Sequence, residues 1–145
     1  MMEEKIKHLE FVQSIITRMN TCSFQLKGWM ITIVSALLAL FASSSNELYI
    51  YIAIVPTLIF WFLDTYYLQQ ERKFRGLYND IVLGNIGNFE MPIDNYVYAP
   101  KNKSSNKYRY GKVFMSKTLW PLYGIIAIGL LITGIVLTIN NVNCL

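Results

Sequence analysis

Apolar residues crowd into three long stretches of this chain, near Gly28–Ser43, Leu48–Leu68 and Leu119–Ile139. A helix needs about 20 such residues to cross a bilayer. The pattern therefore predicts three transmembrane helices, over residues 28–43, 48–68 and 119–139. Between the first two lies only the short connector Ser43–Leu48, so those spans must be antiparallel neighbours.

Residues 1–27 are polar but periodic. Leu9, Val12, Ile15, Ile16 and Met19 recur at helical spacing. Lys7, Glu10, Gln13, Ser14, Thr17 and Arg18 occupy the remaining positions. This predicts an amphipathic helix, lying flat on the inner leaflet or packed on another cytoplasmic helix. Its mixed charge disfavours simple adsorption, which works best with a strongly basic polar face. His8, the sole histidine, reads as a solvated residue on the polar side.

The second helical pattern outlasts its span. Phe74, Leu77, Tyr78 and Ile81 follow i, i+3, i+4, i+7, which predicts a helical extension that leaves the membrane and ends near Gly84. Its apolar stripe matches the stripe on the N-terminal helix. Pro56, near the middle of the span, costs one backbone bond and reads as a static kink that membrane helices tolerate. Gly84–Gly111 is rich in Gly, Pro, Asn and Ser and reads as irregular, with room for a short hairpin over residues 96–98 and 107–110. The third span opens at Trp120-Pro121, where proline in a first turn costs little. Gly124, Gly129 and Gly134 recur every five residues, a period that holds no single helix face. Gly134 and Thr138 form one small-xxx-small pair.

Charge then orients the helices. All 13 Lys and Arg lie before the first stretch or between the second and third. Cytoplasmic loops carry the excess of Lys and Arg. The expected arrangement is multi-pass in a bacterial inner membrane, with the N-terminus cytoplasmic, residues 69–118 a cytoplasmic helix and loop, and the C-terminus external. The same bias accounts for the net charge of +4 without a nucleic-acid partner. The segment before the first span is too long, and too acidic at Glu3, Glu4 and Glu10, for a cleaved signal peptide. With three spans in 145 residues, little remains for a second large core, so residues 1–145 read as a single all-α membrane domain. Cys22 and Cys144 fall on opposite faces in this arrangement and have no metal-ligand spacing.

Catalytic chemistry is not indicated. No nucleophile, base and orienting group can be assembled from the scattered polar residues, and the expectation is no enzyme, no metal and no cofactor. Asp64 is the one ionisable residue inside a span. Such charges are expensive and often functional, but its closeness to Gln69 suggests an interfacial ion pair with Lys27, Lys117 or Arg18. Arg72, Lys73 and Arg75, with Tyr78 and with Arg18 opposite, form the richest polar cluster. Guanidinium forks suit phosphate, so this is the candidate site for an anionic signal. A topology-setting patch that touches anionic lipid headgroups is the plainer reading.

Two segments, Phe11–Leu40 and Phe60–Ile81, with an echo in Ser116–Gly124, resemble small bacterial membrane effectors of nucleotide-signalling antiphage systems, the SLATT-type proteins. The likeness lies in an amphipathic helix, a tight transmembrane hairpin and a cytoplasmic helical extension; this chain adds a third span. The resemblance implies a homo-oligomeric, non-enzymatic effector that disrupts or depolarises the inner membrane in response to a nucleotide second messenger made by a cytoplasmic partner enzyme. The alternative is a small structural or regulatory subunit of a larger membrane complex.

Overall fold

The computed structural model describes residues 2–87, 89–94 and 108–143. It is all-helical, with no strand among the described residues. Helix α1 covers Met2–Ser44, α2 Leu48–Leu83, α3 Tyr110–Phe114 and α4 Ile125–Asn143, with a π-helical turn over Trp120–Gly124 ahead of α4. Three helical segments are long and apolar enough to cross a membrane: Glu3–Ser44, Leu48–Leu83 and Trp120–Asn140. At most 28% of each apolar window is buried within the chain, so most of that surface must meet lipid or another protein.

The N-terminal segment and first span are one continuous helix, α1. The α1–α2 turn is short. Ser45 takes a positive φ of 52°, and the Asn46 side chain accepts a bond from the Leu48 N–H at 3.0 Å, capping the start of α2. Helix α2 runs unbroken through Pro56. It stops at Gly84, which takes φ +77°. The Asn85 N–H returns to the Asp80 carbonyl at 3.0 Å and the Gly84 N–H to Ile81 at 3.1 Å, the paired bonds of a Schellman stop that favours glycine. Most of the proposed 96–98/107–110 hairpin lies outside the described residues, but its last member, Tyr110, opens α3 instead.

Contacts divide the chain into two compact units, Met1–Phe24 with Thr65–Val113, and Gln25–Asp64 with Phe114–Leu145. In the first, Val12 and Ile16 of α1 cluster with Phe74, Leu77 and Ile81 of α2, and Leu9, Ile15, Tyr78, Ile86, Met91 and Ile93 pack around them. Lys5 Nζ donates to the Val82 carbonyl at 3.0 Å, satisfying a helix-end acceptor. Buried Gln69 donates to the Tyr108 carbonyl at 2.8 Å and fixes the chain just before α3. Burial pushes the Tyr110 hydroxyl above its ordinary pKa, against the opposing effect of its bond with Thr65.

His8 corrects the sequence reading. It is buried in this first unit, only 3% exposed, against the Phe89 ring at 5.0 Å. Positions 8, 12, 15 and 16 share one helix face, so the histidine continues the apolar stripe.

In the second unit, Met30 and Val34 of α1, Ile50 and Ala53 of α2, and Ala127 and Leu130 of α4 are buried. Near the α1–α2 turn, Tyr51 lies over Gly134, where an added Cβ would come within 3.1 Å of the ring. Its hydroxyl pairs with Thr138 Oγ1 at 2.8 Å.

Candidate functional site

Asp64 is the only acidic residue of the second unit that is fully buried, at 0% exposure. An isolated carboxylate there would be prohibitively costly. Two groups from separate helical segments compensate it. Lys27 Nζ of α1 lies 2.6 Å from Asp64 Oδ2. The Tyr123 hydroxyl donates to the same oxygen at 3.0 Å. Lysine keeps part of its side chain exposed, at 21%, so its charge retains a route to solvent or headgroups.

An aromatic cluster borders this pair. Trp61, one helical turn before Asp64, stacks on Phe114 with centroids 4.2 Å apart and lies parallel to Tyr123 at 6.1 Å. Trp120 tilts against it at 6.5 Å. The Tyr123 and Trp120 separations lie in the favourable range for aromatic pairs, and Phe114 packs closer still. The Trp61 Nε1–H donates to the Phe114 carbonyl at 3.2 Å, so the indole is both packed and hydrogen-bonded.

The π turn sets the position of Tyr123. It holds Pro121, which has no N–H to donate, and Gly124. A Cβ on Gly124 would clash with the Trp120 ring. Glycine alone leaves room for the indole to lie across the backbone there. The turn carries one residue more than an α-turn, so side chains beyond it are rotated from the α-helical register. Together the three segments build a buried, charge-compensated polar site flanked by aromatic rings. It can hold the helices in one arrangement, and it would be disturbed by anything that separates its members.

The other sequence candidates are more dispersed. Lys117 is exposed and makes no ion pair among the described residues. Arg18 is exposed, Arg72 half-buried and Lys73 buried. Arg75 is tied to Glu71 of its own helix, Nε to Oε1 at 2.7 Å. Tyr78 packs against the apolar cluster of the first unit. Cys22 is a half-buried free thiol, and Cys144 lies outside the described residues. No group of three metal-ligating side chains occurs among the described residues. No protein-family model, curated protein or solved structure matches the chain.

Tyr123 is the site residue that sequence reasoning missed. It follows Trp-Pro in an apolar run, and its meeting with Asp64 depends on the π turn, which helical periodicity does not reveal.

Proposed function

We propose that the chain is an oligomeric inner-membrane effector that depolarises the membrane in antiphage defence when triggered from the cytoplasmic side. The observation that carries the reading is the Lys27–Asp64–Tyr123 cluster. It places a compensated charge among helices long and apolar enough to span a bilayer. An intramembrane ionisable group is costly and is a functional-site hypothesis by default. Here it gives the bundle a polar tie that a trigger can break. Asp64 shares α2 with the Glu71–Arg75 pair, so one helix carries both the tie and the candidate signal-binding residues Arg72, Lys73 and Arg75.

In this reading the N-terminus and residues 69–118 are cytoplasmic and the C-terminus external, the orientation that the one-sided Lys and Arg distribution supports. An anionic signal, with a nucleotide as the leading candidate, binds near Arg72 and Arg75 and favours a second arrangement of the helices. A ligand shifts such an equilibrium only as far as it prefers one state. The outward apolar faces then associate between copies. The test is phage plating on bacteria that carry the gene with its genomic neighbours. Deleting this chain alone should abolish protection. Unchanged plaque counts would remove the defence role and leave the subunit reading.

A further inference from the structure

We propose that the Trp120–Gly124 turn is a two-state element, and that tightening it from π to α geometry releases Tyr123 from Asp64. The inference names the conformational step behind the proposed function and rests on that reading for its biological purpose, though not for its geometry.

A π turn is rare, and an α-turn is the default for a continuing helix. Something must hold the wider form. Five contacts of the second unit are placed to do so. The Tyr123 hydroxyl is bonded to Asp64 at 3.0 Å. The Tyr123 ring lies parallel to Trp61. The Trp120 ring lies over Gly124. Further along, from the middle of α4, Tyr51 rests over Gly134 and its hydroxyl is bonded to Thr138.

Tightening the turn by one residue would rotate α4 by roughly 100° relative to the chain before it, and shift it by about 1.5 Å. That rotation takes Tyr123 away from Asp64. It also takes Gly134 and Thr138 away from Tyr51. The two tyrosine hydroxyls therefore oppose the same motion from two separate points, one in the turn and one along α4. Once Tyr123 has left, Asp64 keeps Lys27 as a partner but loses the tyrosine donor, and Trp61 keeps its stack on Phe114 but loses the parallel ring of Tyr123.

The test uses the full chain labelled with 5-fluorotryptophan in lipid nanodiscs. The sequence has three tryptophans, Trp29, Trp61 and Trp120, so each fluorine signal can be assigned by replacing one at a time with phenylalanine. Tyr123→Phe keeps the ring and removes the bond to Asp64. Tyr51→Phe removes the bond to Thr138 without touching the turn. Each should raise a second Trp120 signal by about threefold, the effect of one average interhelical hydrogen bond in a membrane, and the double variant by about ninefold. Deleting Leu122 removes the extra residue and should leave a single Trp120 signal. The decisive variant is Tyr51→Phe. A rise in the second Trp120 signal supports the two-state turn, and an unchanged Trp120 spectrum overturns it, whatever Tyr123→Phe does. These spectra read the purified protein, so they separate failure of the turn from failure of the defence role.

Discussion

Lys27 Nζ and Asp64 Oδ2 lie 2.6 Å apart, with the carboxylate fully enclosed and the lysine still 21% exposed. The two ends of this pair are therefore unequal. If Asp64 is neutralised, the lysine can still reach water or headgroups along its exposed side. If Lys27 is removed, the carboxylate has no such route.

This asymmetry makes a stability prediction. Lys27→Met should cost about 3–5 kcal/mol, the usual penalty for stranding a buried charge. Asp64→Asn should cost less. The double variant Lys27→Met/Asp64→Leu should recover much of the loss, because an apolar replacement of a buried pair is often tolerated. Thermal unfolding in mild detergent gives the order. Equal losses for the two single variants would contradict the asymmetry.

The glycines of the third span should separate in the same assay. At Gly124 a Cβ would clash with the Trp120 ring, at Gly134 it would meet Tyr51 at 3.1 Å, and at Gly129 nothing lies within 4 Å. Gly124→Ala should lose about 1–3 kcal/mol through overpacking, and Gly134→Ala less. Gly129→Ala should be neutral or stabilising, since alanine is the better helix former. A Gly129→Ala loss as large as that of Gly124→Ala would refute the steric account.

The apolar cluster of the first unit predicts a contrast within α1. Ile16 is buried against Phe74, Leu77 and Ile81, whereas Ile6 is 49% exposed. Ile16→Glu should place an unpaired charge in that core and cut the yield of folded protein, while Ile6→Glu should leave it near wild type. Size-exclusion profiles in detergent report both. Similar profiles for the two variants would count against the packing.

Helical spacing made this cluster legible. Ile15 and Ile16 on one stripe, and Phe74, Leu77, Tyr78 and Ile81 on another, recur every three or four residues, and each stripe needs cover. Met19 has the same spacing but is only half-buried and is not part of the cluster. Gly84 announced the end of α2 because a left-handed helix stop favours glycine. The polarity of His8 points to solvent, but its position four residues before Val12 places it on the buried stripe. The Asp64 site was half legible. A carboxylate in a span demands a partner, and Lys27 lies at the edge of the neighbouring span. Tyr123 was not legible, because the π turn breaks the periodicity from which faces are read. Its only sequence trace is Trp120-Pro121 with Gly124 close behind.

Orientation can be tested independently of function. Reporter fusions after Asn46 and after Cys144 should read as external, and a fusion at Ser104 as cytoplasmic, because Lys and Arg flank only that side of the spans. An external signal at Ser104 would reverse the orientation and move Arg72 and Arg75 away from any cytoplasmic trigger.

The most direct test of the effector reading is membrane potential, followed with a voltage-sensitive dye in cells carrying the gene and its neighbours through a phage challenge. Wild-type cells should hold their potential before infection and lose it during infection. Arg72→Gln/Arg75→Gln should insert normally yet hold its potential throughout, and Lys107→Gln/Arg109→Gln should behave more like wild type. A wild-type culture that keeps its potential through the whole infection would contradict the account.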